Sequence, residues 1–174
     1  MKKLMTLLLA SVLLLAGCSL IKDAAEVTIS TDLTTTIPVV VTVKKSVNAP
    51  SIAFSKSQDL NLADNDEIEP YLEKIREIKL KSLVVTVNGM SSGQAINTIS
   101  LDVTGVGNIC TQTNITSSSN VFTPVITAAV LEQVGAKLKS DKKITITVHG
   151  DASGPMAFTA ILVFDADIVA GALD

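Results

Sequence analysis

Residues 156–164 limit the possible folds of this chain more than any other segment. Their side chains alternate between two directions, as in a β-strand, and both sets are mostly apolar. One set is Phe158, Ala160, Leu162 and Phe164, and the other includes Ala157, Ile161 and Val163. Apolar residues on both faces are typical of a central strand in a sheet that is covered on both sides. The sequence therefore predicts a central strand here, with helices or a second sheet over its second face.

Short apolar segments with a period of two recur along the chain and predict further strands. They occupy residues 27–30, 37–43, 52–54, 60–62, 80–87, 95–103, 109–115 and 143–149. Asn88-Gly89 begins a polar loop after 80–87, and we expect this strand to form a hairpin with 95–103. Gly105 and Gly107 mark the turn that follows.

Two segments change to the period of a helix. In 66–77 apolar residues share one side, and Asp66 is placed to cap the first turn. In 124–139 apolar residues recur at every fourth position, and Pro124 is typical of a first helical residue. Eight or so strands with two helices predict an α+β or mostly β fold, built as an antiparallel sheet or a β-sandwich.

The first eighteen residues have the organisation of an export signal. Two lysines follow Met1, a thirteen-residue apolar run fills positions 4–16, and small residues precede Cys18. A membrane-spanning helix needs about 20 apolar residues, so this run is short for a span. The tetrapeptide Leu15-Ala16-Gly17-Cys18 closely resembles the lipobox of bacterial lipoproteins.

This resemblance covers the signal alone and implies a lipid anchor. Residues 1–17 would be removed, and Cys18 would carry a diacylglycerol and an amide-linked acyl chain such as palmitate. Ser19, in place of Asp, implies the outer rather than the inner membrane of the bacterial cell envelope. Residues 18–25 then form the lipidated cysteine and a short tether, and 26–174 form a single globular domain. A fully extended tether reaches at most about 28 Å, so we expect the domain to lie close to the bilayer.

Composition argues against two classes of partner. The first seventeen residues hold two lysines and no acid, so their removal changes the net charge from −3 to −5. No more than two basic residues are adjacent, which argues against nucleic acid. The chain has no Trp, one Tyr and four Phe, and this scarcity of stacking rings disfavours carbohydrate.

Cys110 and His149 are the two residues outside the signal whose side chains most invite a chemical interpretation. With Cys18 acylated, Cys110 has no partner within the chain; it either pairs between molecules or is a small buried hydrophobe, and we favour the second. His149 ends a strand on its polar face, where we expect it half-exposed. One His and one free Cys cannot supply the three or four ligands of a zinc site.

Two motifs carry weaker signals. Gly89-Met90-Ser91-Ser92-Gly93 has the letters of a nucleophile elbow, but a strand rather than a helix follows it, so a loop is the better interpretation. The stretch 59–69 is rich in oxygen ligands suited to calcium, although its spacing is not that of an EF-hand. A solvated loop that caps the next helix explains the same residues: Asp59, Asn61, Asp64, Asn65, Asp66, Glu67 and Glu69.

These patterns predict a non-enzymatic, membrane-anchored envelope lipoprotein with a structural or protein-interaction role. Cys18 is the one predicted site residue, as the point of lipidation, and we predict no catalytic, cofactor or metal residue. The alternative is a carrier of an apolar ligand such as a lipid, and an envelope hydrolase comes third. Because bulky aliphatic residues dominate the helix 124–139, we expect no continuous apolar cavity of about 300 Å³ or more between it and the sheet.

Overall fold

The computed structural model of the chain describes residues 25–42 and 51–173. The predicted signal, Cys18 and most of the tether lie outside these residues. Within them, no helix has the length and hydrophobicity to cross a membrane. The strands are β1 (Glu26–Val41), β2 (Ile52–Asn61), β3 (Ile75–Asn88), β4 (Ala95–Val103), β5 (Gly107–Thr116), β6 (Val121–Phe122), β7 (Lys143–Ala152) and β8 (Met156–Gly171). One α-helix, α1, spans Ala128–Asp141, and short 3₁₀ helices span Leu62–Asp64 and Glu69–Lys74.

The strands form two antiparallel sheets of four, which confirms the predicted β-sandwich. Sheet A has the order β1-β8-β3-β6, and sheet B has the order β2-β7-β4-β5. The apolar residues that the two sheets and α1 bury form one continuous cluster. Phe54 of β2 and Phe158 of β8 meet edge to face in this core, with ring centroids 5.2 Å apart.

β8 is the central strand of sheet A, as its sequence predicts. It pairs with β1 along its whole length and with β3 on the other side. Phe158, Leu162 and Phe164 point into the core and are buried. The prediction that the second face is covered as well is wrong, because Ile161 and Val163 remain half-exposed. Sheet B and α1 contribute their apolar side chains to the one core beneath sheet A, which leaves its opposite face to solvent.

Sheet A extends beyond sheet B, and α1 packs along the part of sheet A near the start of β3. β1 and β8 have 16 residues each, whereas the strands of sheet B have 9 or 10. Gly135 of α1 lies so close to β3 that a Cβ there would overlap the carbonyl oxygen of Ile78. β6 pairs only with Val85 and Thr86 and leaves the rest of this side of β3 open. The helix therefore lies beside β3 in that open part.

Several predicted strands are pieces of longer ones, and one predicted pairing is wrong. Segment 27–30 and residues 37–41 of the segment 37–43 belong to β1, and 52–54 and 60–62 belong mainly to β2. Residue 43 lies outside the described residues. The expected hairpin between 80–87 and 95–103 does not form, because β3 lies in sheet A and β4 in sheet B. β8 and β6 occupy both sides of β3 at its end, so the chain crosses to the other sheet there.

Neither predicted helix is observed with its predicted bounds. In place of a helix over 66–77 there is a 3₁₀ helix at Glu69–Lys74, because β3 already pairs with β8 at Ile75. α1 begins at Ala128 rather than at 124, since residues 123–127 have no regular secondary structure and Thr127 has an extended backbone. Lys142 ends the helix in the left-handed conformation and donates its N–H to the Leu138 carbonyl at 2.8 Å.

We predict that Gly135→Ala destabilises the protein although alanine favours helices. The added methyl overlaps the Ile78 carbonyl oxygen, and overpacking of this kind costs about 1–3 kcal/mol. Gly154→Ala is the matched control because open space surrounds that position, and it should change stability by less than about 0.5 kcal/mol. Urea unfolding followed by circular dichroism measures both. Equal stability of Gly135→Ala and the parent would contradict this direct packing.

Candidate functional site

The solvent-facing side of sheet A is divided into two halves of different chemistry. In the half farther from Glu26 every outward side chain is uncharged, and we call this surface the uncharged face. It consists of Thr34, Thr36, Pro38, Val40, Val84, Thr86, Asn88, Val121, Ala157, Thr159, Ile161 and Val163. Each of these residues is at least partly exposed. The remaining half carries the charges.

The register of the strands places these residues in rows across the sheet. In one row Thr36, Ile161, Thr86 and Val121 lie directly opposite one another on four adjacent strands. At the margins Val40 is 71% exposed and Val121 is 57% exposed. From the spacing of residues and strands we estimate a flat area of about 500 Å². Contiguous uncharged surfaces that expose this many aliphatic groups often mark contacts with other proteins.

Lysine and aspartate side chains pair with one another in the charged half. Lys81 Nζ lies 2.7 Å from an Asp167 carboxylate oxygen and 3.2 Å from one of Asp165. Ser30 Oγ donates a hydrogen bond of 2.6 Å to Asp167. The hydrogen bonds from Lys81 and then Ser30 lower the pKa of Asp167, and the Asp167 bond chiefly raises the pKa of Lys81. The Lys81–Asp167 pair therefore keeps both of its partners charged at neutral pH.

A groove of about 540 Å³ lies between α1 and the first half of β3. This volume is larger than about 300 Å³, but the expectation concerned a continuous apolar cavity between the helix and the sheet. The groove is open to solvent rather than enclosed, and six of its eleven lining residues are charged. The lining residues are Arg76, Glu77, Ile78, Lys79, Leu80, Lys81, Ala128, Leu131, Glu132, Ala136 and Lys139. It differs in both respects from the continuous apolar cavity that would bury a lipid chain.

His149 lies on the outer side of sheet B, half-exposed as expected. Its side chain is 40% exposed, and Nε2 is 3.0 Å from an Asp102 carboxylate oxygen. Ser100 is opposite His149 on the neighbouring strand, but its hydroxyl is hydrogen-bonded to Thr111 Oγ1 at 2.9 Å. The arrangement is a His–Asp pair on an open polar sheet surface.

Ser91 of the Gly-x-Ser-x-Gly letters lies in the exposed loop that joins β3 to β4. Its backbone N–H donates to Gln94 Oε1 at 2.8 Å, and strand β4 follows rather than a helix. The loop interpretation of this motif is therefore confirmed. The sharp strand-to-helix turn that exposes a catalytic serine is not formed at this position.

The oxygen-rich stretch 59–69 uses its side chains in local hydrogen bonds. Asp59 accepts from Thr145 Oγ1 at 2.7 Å, and that bond chiefly lowers its pKa. Asn61 caps the first 3₁₀ helix by accepting the Ala63 N–H, and Asn65 accepts the Glu67 N–H. Among the described residues, no group of three or more His, Cys, Asp and Glu side chains is arranged to hold a metal ion.

Cys110 is buried in β5, opposite Leu101, with 8% of its surface exposed. The interpretation as a small buried hydrophobe is confirmed, and within the described residues the thiol is free. Burial raises the pKa of this thiol to about 11. Because the thiolate is the reactive form, the side chain is poorly suited to nucleophilic chemistry.

Comparison with known proteins provides no family. No family model and no curated protein matches the chain. One solved structure that matches is a chain of Desmodium yellow mottle tymovirus, with 10% identity and a TM-score of 0.34. The match covers 84% of this chain and 91% of that one. At this similarity it has no bearing on function.

Sequence reasoning located the functional candidates Cys110 and His149 but missed the uncharged face. The signal was present in β1, where Thr34, Thr36, Pro38 and Val40 alternate with buried residues and lack charge. What the sequence did not show is that β8 and β3 are the neighbours that extend this strip into a surface.

We predict that Cys110 reacts slowly with a maleimide in the folded protein and quickly in denaturant. Burial limits access, and a pKa of about 11 leaves little thiolate at neutral pH. Labelling measured by mass spectrometry tests this, with Ser57→Cys as an exposed control because Ser57 faces solvent on β2. Fast labelling of folded Cys110 would contradict the buried position.

Proposed function

We propose that this chain is a lipid-anchored protein of the bacterial cell envelope with a non-enzymatic, protein-interaction role. The observation that carries the proposal is the division of the outer side of sheet A. Its charged half lies towards Glu26, where the chain leaves for Cys18, and the uncharged face lies at the far end of the strands. A domain held at one end and uncharged at the other is suited to docking another protein.

The anchor interpretation is supported by the lipobox-like sequence and by the place where the domain begins. Ala25 already accepts a hydrogen bond from the Ala172 N–H at 3.1 Å, so the chain has joined sheet A before β1 starts. Only six residues separate Cys18 from Ala25. Thr34, the first residue of the uncharged face, then lies about 26 Å further along β1 from Glu26. The short tether thus favours presentation of that face away from the bilayer.

The chemistry of the described residues favours docking over catalysis. His149 pairs with Asp102 on an open sheet, Cys110 is buried, and Ser91 lies in an exposed loop. These side chains lie in separate parts of the fold and do not converge on one pocket. The uncharged face, in contrast, exposes aliphatic groups whose removal from water is favourable on contact with a partner.

We predict that the protein purified from its native membrane lacks residues 1–17 and carries acyl mass on Cys18. Intact-mass analysis measures this directly. Cys18→Ser should remain uncleaved, since the acylated thiol is lost, whereas the control Cys110→Ala should be processed and anchored as the parent is. Mature protein in the aqueous fraction with an unmodified Cys18 would contradict the anchor.

A carrier of an apolar ligand is the second candidate, and the groove between α1 and β3 favours it. We nevertheless predict that extraction of the purified lipidated chain releases no stoichiometric non-covalent lipid, because charged side chains line more than half of this open groove. Mass spectrometry of the extract measures it. About one lipid per chain, lost in Ala136→Trp but retained in Gln133→Trp outside the groove, would establish the carrier instead.

A further inference from the structure

We propose that the uncharged face binds a second copy of this chain, so that two sheets A pack face to face. The two-fold axis would lie between the faces and close to parallel with the strands. This inference rests on the proposed anchoring and names the partner of the docking surface. It is carried by the composition of the face, by its position relative to Glu26 and by its size.

The composition of the uncharged face is compatible with contact between two copies of that face. An isologous contact places residues close to the axis against their own symmetry mates, so a charge there would face a like charge. None of the residues of the uncharged face is charged. Two stacked sheets interdigitate side chains at a separation of about 10 Å, and the Thr, Val and Ile side chains of this face have the size for such a layer.

The position of the face fits two copies anchored in one membrane. Rotation about an axis parallel to the strands keeps both Glu26 ends pointing in the same direction. A second uncharged surface is the edge of sheet B, where all ten residues of β5 lack charge. Antiparallel pairing of β5 with its symmetry mate inverts one copy, so that the two Glu26 ends point in opposite directions. An upright anchored pair is therefore compatible with the face and not with the edge.

The size of the face sets the strength of the contact. About 500 Å² on each copy gives a buried total of about 1,000 Å², which is the lower limit for a specific interface. A contact of this size is weak in dilute solution. Confinement of anchored copies to one membrane raises their effective concentration and favours the pair. We therefore expect dimers in the membrane that dissociate when the chain is diluted in detergent.

Cross-linking of the full-length chain in its native membrane tests the pairing. Thr36→Cys and Ile161→Cys place single thiols in the central row, on the adjacent strands β1 and β8. With the axis over β8, the two Ile161→Cys thiols face each other and the two Thr36→Cys thiols lie about 10 Å apart across the strands, so the bismaleimide cross-linker must be long enough to span both distances. Both variants should give covalent dimers. The parent chain controls for Cys110 and Cys18. Thr147→Cys, on the outer side of sheet B, and Thr113→Cys, on the β5 edge, should remain monomeric.

A charge placed in the face provides the second test. Ile161→Lys on the Thr36→Cys background should abolish the cross-linked dimer, because two ammonium groups would meet without a partner. Thr147→Lys on the same background is the control and should leave the dimer intact. Both positions are half-exposed, so both variants should fold, and circular dichroism of the purified chains checks this.

The outcomes separate the pairing from the anchor. Cross-linking at Thr113 without cross-linking at Ile161 would overturn the proposal in favour of edge pairing. An adduct of Ile161→Cys with a different protein would overturn the second copy as partner. Monomers throughout, from a chain that is acylated and membrane-bound, would overturn the pairing and leave the anchor standing. A chain found unacylated in the aqueous fraction would refute the proposed function itself.

Discussion

The pairing of β8 with β1 and β3 is the constraint on which the rest of the structure depends. β8 is in register with β1 over all 16 residues, and its pairing with β3 contains two bulges. Because side chains alternate along strands, this one register decides which residues enter the core and which face solvent. Each large aliphatic or aromatic residue buried by it contributes about 1.5–3 kcal/mol, and Phe158, Leu162 and Phe164 lie in this row. A slip of one residue would expose them.

Contacts of different kinds hold sheet B and α1 against sheet A. Phe54 of β2 packs edge to face on Phe158, which joins the sheets in the core. At one side of the sandwich the Thr35 hydroxyl donates to the Asp59 carbonyl oxygen at 3.2 Å, which links β1 to β2. Beside β3, α1 covers the strand where β6 is absent, and this close approach requires Gly135. The same arrangement leaves the outer side of sheet A without a covering layer.

The uncovered side of sheet A has one charged end and one uncharged end. At the end near Glu26, ion pairs such as Lys81–Asp167 are exposed, and pairs of this kind contribute little to stability but keep a surface hydrated. At the other end the exposed side chains are mainly Thr, Val, Ile and Pro. Removing this surface from water costs less free energy than removing the charged one. In the anchored state that we propose, the tether to Cys18 begins at the charged end, and the uncharged end lies farthest from the membrane. Geometry and solvation thus both support our proposal that a partner docks at that end.

Local periodicity and composition were enough to predict the mostly β character, the central place of β8, the burial of Cys110 and the half-exposed His149. Sequence also carries the lipobox-like signal at Cys18. Three features became visible in the folded chain alone: β3 and β4 lie in different sheets, residues 75–77 join a strand rather than a helix, and Ile161 and Val163 remain partly exposed. These features depend on which strands become neighbours, and backbone pairing between distant segments leaves no local pattern in the sequence.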